Sequence, residues 1–110
     1  MSGTLYVVAT PIGNLEDITE RARRVLGEVD LVLAEDTRRV SSLLSALGLR
    51  TPVESYHGDT APEKRARLVR RLADGATMAL ATDAGTPVIA DPGASIVAEA
   101  AEAGVLIIPV

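Results

Sequence analysis

Two short segments hold the residue types best suited to gripping a ligand. Thr10-Pro-Ile-Gly-Asn14 follows the strand-like run Leu5 to Ala9, and Thr82-Asp-Ala-Gly-Thr-Pro-Val-Ile-Ala-Asp-Pro-Gly93 follows the run Thr77 to Ala81. In both, strand formers give way to Gly, Pro, Asn and Asp, which reshape the backbone and present amides, carbonyls and carboxylates. Ligands of parallel α/β sheets bind at the carboxyl ends of the strands, where both segments fall. Pro11 fixes φ and Gly13 tolerates positive φ, so the first loop can hold a tight turn against a ligand; an ordinary strand-to-helix turn has the same composition. In the second loop Asp83 brings a carboxylate to the sheet edge, able to accept hydrogen bonds from a hydroxyl or amine. Gly85 permits close backbone approach, Thr86 offers a hydroxyl, and Pro87 and Pro92 lower the entropy lost on binding. Asp83 and Asp91 would equally serve to satisfy loop amides or cap the next helix. Neither loop is a Gly-x-Gly-x-x-Gly fingerprint or a Gly-Lys-Ser/Thr phosphate loop, which disfavours a phosphate-cradling nucleotide fold.

Three further groups of residues bear on chemistry. Glu35-Asp36-Thr37-Arg38 ends a second apolar run at the same edge, and paired carboxylates suit acid–base or metal work. Neighbours on a strand face opposite ways, however, so a structural pair with Arg38 or Arg39 is as good a reading. His57 follows Tyr56 in a loop, where a solvated histidine is the commoner outcome. Lys64, Arg67, Arg70 and Arg71 share one helix face; they are most simply a solvated surface, with phosphate contact as the functional reading.

The elements that must position these groups follow from periodicity. Leu5 to Ala9, Leu31 to Ala34, Val53 to Ser55, Thr77 to Ala81 and Val105 to Ile108 read as strands, several of them apolar throughout, as strands buried on both faces are. Ile18, Ala22, Val25, Leu26 and Val29 recur at helical spacing, with Gly27 as the expected stop and Asp17-x-x-Glu20 as a capping pair, Asn14 competing for the cap. Val40, Leu43, Leu44 and Leu47 mark a second helix, capped by Thr37 and ended by Gly48. Pro62 opens a third, with Leu68, Val69, Leu72 and Ala73 inside, and a fourth runs from about Ala94 to Ala103 before Gly104. Strand and helix alternate with short connections, so the expected fold is α/β, a doubly wound five-stranded parallel sheet with helices on both faces.

Composition bounds the rest. The chain has 110 residues, 47% of them hydrophobic, with no Phe, Trp or Cys and only two tyrosines. Its core is therefore aliphatic, and disulfides, thiol nucleophiles and cysteine metal sites are excluded. With one histidine, a structural zinc site is not expected. A net charge of −4 argues against a nonspecific nucleic-acid coat but leaves room for a local basic face. No apolar run reaches the roughly 18 residues that span a bilayer, and the start lacks signal-peptide features, so a cytoplasmic protein is the expectation. Val105 to Val110 reads as a strand entering a loop, which points to one lobe of a two-lobed protein.

Four stretches together resemble one family: Leu5 to Thr19, Ala34-Glu-Asp-Thr-Arg38, Ser55-Tyr-His57 and Thr82 to Gly93. They occur in the order and spacing of the ribosomal RNA small subunit methyltransferase I (RsmI) group of the tetrapyrrole methylase superfamily. The resemblance implies S-adenosylmethionine-dependent methyl transfer to the ribose 2′-hydroxyl of a cytidine in small-subunit ribosomal RNA. It also implies a two-lobed protein, commonly a homodimer, with its cofactor in the cleft between lobes. Residues 1–110 would be the N-terminal lobe, folded but inactive without the second lobe. By the match, Pro11, Ile12 and Gly13 line the cofactor from the first loop, and Asp83, Gly85, Thr86 and Pro87 from the second; no metal is implied. After Tyr56-His57 the chain reads Gly58-Asp-Thr-Ala-Pro62 where the family usually has acidic and amide residues. A 2′-hydroxyl is a poor nucleophile, so a general base is expected. Glu35, Asp36 and His57 are candidates, and none is singled out. Methylation of a corrin or porphyrin by the same fold is the alternative enzyme, and a ligand-binding or dimerising half-module the non-enzymatic one.

Overall fold

In a computed structural model, residues 2–11, 15–83 and 93–110 are described. The order is β1 (Thr4–Thr10), a 3-10 turn (Leu15–Asp17), α1 (Glu20–Glu28), β2 (Leu31–Ala34), α2 (Thr37–Ala46), β3 (Val53–Ser55), α3 (Pro62–Ala73), β4 (Thr77–Asp83), α4 (Gly93–Glu102) and β5 (Leu106–Pro109). The five strands form one sheet in the order β3-β2-β4-β1-β5, and every pairing is parallel.

Alternation along the strands divides the core into two layers. Leu5, Leu31, Leu33, Met78 and Leu80 meet Leu68 and Leu72 of α3 and Ile96 and Ala100 of α4. Val8, Val32, Ala34 and Ala79 face the other way, against Ala22, Val25 and Leu26 of α1 and Val40 and Leu44 of α2. Both faces of the central strands are thus covered, as an all-parallel sheet requires. At the β5 edge the covering is thinner, and Leu106 is 59% exposed.

Helix limits differ from the expectations where local hydrogen bonding outranks composition. The N-cap of α1 is Thr19, whose Oγ1 accepts from the Ala22 amide at 3.0 Å, while Asp17 belongs to the 3-10 turn. Asn14, the other cap candidate, lies outside the described residues. Gly27 does not stop α1; the helix continues to Glu28. A Cβ at Gly27 would stand 3.0 Å from Leu49 Cδ2, so the glycine lets the loop after α2 pack close. The cap of α2 is Asp36 rather than Thr37, because the Asp36 carboxylate accepts from the Arg39 amide at 3.1 Å. Gly48, at φ 75°, ends α2 as expected. Strand β4 runs two residues further than expected, to Asp83, because β1 pairs with it along its whole length.

Truncating a side chain in the fully buried layer should therefore cost far more than at the thin edge. Leu33→Ala is expected to lower unfolding free energy by about 3 kcal/mol. Leu106→Ala should change it by no more than about 0.5 kcal/mol, both read by urea denaturation.

Candidate functional site

The strand order creates the site. Strands β1 and β4 are neighbours, yet the connections that follow them part company: α1 packs on one face of the sheet and α4 on the other. Such a switch point opens a crevice at the carboxyl ends of the two strands. The last residues of those strands, Thr10 and Asp83, stand opposite one another in register, and Pro11 follows directly.

A buried pair of threonines fastens this point. Thr10 Oγ1 donates to the Thr82 carbonyl at 2.9 Å, and Thr82 Oγ1 donates to the Val8 carbonyl at 3.4 Å. Both residues are almost fully buried, so each hydroxyl satisfies its hydrogen-bonding need inside the sheet and ties the two strand ends together. From the first turn of α2, which follows β2, Arg39 donates through Nη2 to the Pro11 carbonyl at 3.0 Å.

Of the residues expected at a cofactor, Pro11 and Asp83 stand at the same edge, where the paired strands β1 and β4 end. Ile12, Gly13, Gly85, Thr86 and Pro87 lie outside the described residues, as do Asp91 and Pro92. Of the three base candidates, Asp36 is occupied as the cap of α2, so Glu35 and Asp36 do not act as a pair. Glu35 is exposed at the end of β2. His57 follows β3, two strands from β4, or roughly 10 Å at ordinary strand spacing. Its Nδ1 accepts from the Asp59 amide at 3.1 Å and its own amide donates to Thr60 Oγ1 at 2.8 Å, so it shapes a turn. Among the described residues no group of three or more His, Cys, Asp or Glu side chains is placed to hold a metal ion. No helix among them is long and apolar enough to cross a membrane.

The basic face of α3 is only partly a solvated surface. Lys64 Nζ donates to the Ser55 carbonyl at 2.7 Å and to Ser55 Oγ at 3.2 Å, and Arg67 meets Glu54 Oε1 at 3.4 Å. Arg70 and Arg71 remain exposed. These contacts make α3 a clasp on β3, the outermost and shortest strand. Beside them Arg65 bridges to Glu99 of α4 at 2.9 Å and contacts the buried Tyr56. Burial raises the Tyr56 phenol above its ordinary value of 10.0, the nearby Arg65 only partly opposing it.

Three residues of this edge carry signals that composition alone does not weigh. Thr10 is the last residue of β1 and Thr82 the last but one of β4, and a threonine at a strand end can turn its hydroxyl to the neighbouring strand. Arg39 lies three residues past a capping aspartate, which places it in the first helical turn facing the strand ends.

Comparison with known proteins places this geometry. Residues 4–109 match the family model of the tetrapyrrole (corrin/porphyrin) methylases. The ribosomal RNA small subunit methyltransferase I of Haemophilus influenzae is 48% identical over 99% of this chain and 38% of its own length. Its Pseudomonas aeruginosa counterpart is 50% identical, again over 99% of this chain and 39% of its own length. The chain thus spans less than half the length of these relatives. A crystal structure of uroporphyrin-III-C-methyltransferase from Thermus thermophilus superposes with a TM-score of 0.74 at 28% identity, covering 100% of this chain and 47% of the other.

Two outcomes check the geometry of this edge. Thr10→Val should lower stability by about 1–2 kcal/mol, because the lost hydroxyl leaves the Thr82 carbonyl without its buried donor, whereas Thr10→Ser should retain most of it in the same urea assay. The Tyr56 shift has a definite sign: the unfolded tyrosine ionises first, so its contribution is intact below about pH 9 and is lost as pH climbs past 10. Tyr56→Phe should flatten that alkaline decline in stability measured across pH 9 to 11. Its continuous sheet, its two-faced helix layers and its match from residue 4 to 109 make this chain a member of the tetrapyrrole (corrin/porphyrin) methylase family.

Proposed function

We propose that this chain is the cofactor-binding N-terminal lobe of an S-adenosylmethionine-dependent ribose 2′-O-methyltransferase acting on a cytidine of small-subunit ribosomal RNA. The observation that carries the reading is that both ligand-type loops start from adjacent strand ends, β1 and β4, at one switch point. Relatives 46 to 50% identical are named as small-subunit ribosomal RNA methyltransferases. The tetrapyrrole enzyme that shares the fold is 28% identical, so the RNA reading is favoured over a corrin or porphyrin substrate.

The chemistry of the edge suits the cofactor. S-adenosylmethionine offers an amine and ribose hydroxyls, all hydrogen-bond donors, and Asp83 supplies a carboxylate acceptor at the end of β4. Pro11, Ile12 and Gly13 form one wall in this reading, and Asp83, Gly85, Thr86 and Pro87 the other. When bound, the cofactor supplies an activated methyl group on a sulfonium. The residues of this lobe then have to bind and orient, since alignment of nucleophile and methyl carbon contributes much of the rate. The Thr10–Thr82 lock serves that end by holding the two loop origins at one spacing. Glu35, exposed at the end of the strand beside β4, is the base candidate best placed to take the proton from the 2′-hydroxyl. The remainder of the cleft and of the RNA surface belongs to a second lobe, and the full protein works in the cytoplasm as a homodimer.

Isothermal titration of S-adenosylmethionine into the full two-lobed protein and its Asp83→Ala variant tests the site. The variant should bind at least fivefold more weakly, a loss of about 1 kcal/mol. Equal affinities would remove Asp83 from the site. Methyl incorporation into small ribosomal subunits, with none into precorrin substrates, is the outcome expected of the full protein.

A further inference from the structure

We propose that Arg39 is a positioning residue for the cofactor site, acting through the carbonyl of Pro11. The inference rests on the reading of that crevice as the S-adenosylmethionine site and names a residue which that reading leaves out.

The argument begins with Pro11. Its ring fixes φ near −65°, so only ψ remains to decide the direction in which the chain leaves β1. The Pro11 carbonyl oxygen moves with ψ, and Arg39 Nη2 holds that oxygen at 3.0 Å. With φ set by the ring and the carbonyl held by a guanidinium, both dihedrals of the first loop residue are specified. The contact is partly buried and joins residues 28 apart in sequence.

Arg39 is itself held. The Asp36 carboxylate accepts from its backbone amide at 3.1 Å, which anchors the side chain's origin in the first turn of α2. The helix starts from the end of β2, and in the sheet β4 lies between β2 and β1. The arginine therefore spans the carboxyl end of β4, where Asp83 is the last residue, to reach the loop after β1. A long side chain with a charged donor at its end is needed for that reach. A charge-assisted hydrogen bond of this kind is about twice as strong as a neutral one. Arg38, the preceding residue, is exposed and provides a control of equal charge. A loop whose origin is fixed before the ligand arrives loses less entropy on binding, so the clamp acts on affinity.

Three variants decide it: Arg39→Met, which keeps the stem and removes the donor, Arg39→Lys, and Arg38→Met. Amide hydrogen exchange is followed by NMR alongside calorimetric titration of S-adenosylmethionine. Arg39→Met should speed exchange at the Ile12 and Gly13 amides at least tenfold, while Val32 and Leu80 in the sheet change less than twofold. It should also weaken cofactor binding about tenfold. Arg39→Lys, whose ammonium still donates, should come back to within threefold of the parent, and Arg38→Met should match the parent in both. Parent-like exchange at Ile12 and Gly13 in Arg39→Met overturns the clamp, as does an equal rise at Val32 and Leu80. Faster loop exchange with unaltered cofactor affinity overturns the link to the site. If the full two-lobed protein with the parent sequence binds no S-adenosylmethionine, the proposed function fails, and the exchange measurements still decide whether Arg39 sets the loop.

Discussion

The parallel pairing of β1 with β4 is the interaction on which the rest depends. It runs the full length of both strands, from Thr4 opposite Thr77 to Thr10 opposite Asp83. The buried hydroxyls of Thr10 and Thr82 close it at the carboxyl end. A register slip of one residue would turn Leu5 and Val8 to the wrong helix layers and expose both hydroxyls in apolar surroundings. The same pairing brings together two loops 72 residues apart in sequence. Pairing, core and crevice are therefore one constraint.

The absence of Phe and Trp is met by dividing the core unequally. The α3–α4 side takes the large residues Leu5, Leu33, Leu68, Leu72, Met78 and Leu80, with the single buried aromatic, Tyr56. The α1–α2 side has more small residues, with Ala22, Ala34 and Ala79 among its members. Small residues there let helices lie close to the sheet, and Gly27 lets Leu49 approach α1 in the same way. Close packing of short side chains offsets, by dispersion contacts, part of what a few large rings would otherwise supply.

Polar side chains at the carboxyl edge are spent mainly on fixing backbone. Asp36 caps α2, Lys64 holds the Ser55 carbonyl, His57 closes its own turn, and Arg39 holds Pro11. A ligand site formed from main-chain amides and carbonyls needs such supports, because loop backbone has no periodic hydrogen bonding of its own. Side-chain types that read as acid–base candidates in isolation are here the struts of the loops. Asp36 and His57 each hold backbone in the fold, a role that their residue types alone do not reveal.

The alternation of apolar runs and helical stripes determined by itself the five strands, the four helices and the parallel class, since periodicity is a local property of the chain. It also marked Pro11 and Asp83, because proline, glycine and aspartate after a buried strand have few structural uses that do not present backbone or carboxylate. Caps were misplaced at Asp17 and Thr37, where several neighbouring residues could accept the same amide and only the final backbone geometry selects Thr19 and Asp36. Strand order was beyond the sequence, because nothing local to β1 says whether β2, β4 or β5 will lie beside it. Tertiary packing decided that β4 and β5 flank β1, and so set the ends of β1 and β4, distant in sequence, side by side. It also gave Arg39 its partner across the end of β4, a contact that exists only once three separate strands have been laid side by side.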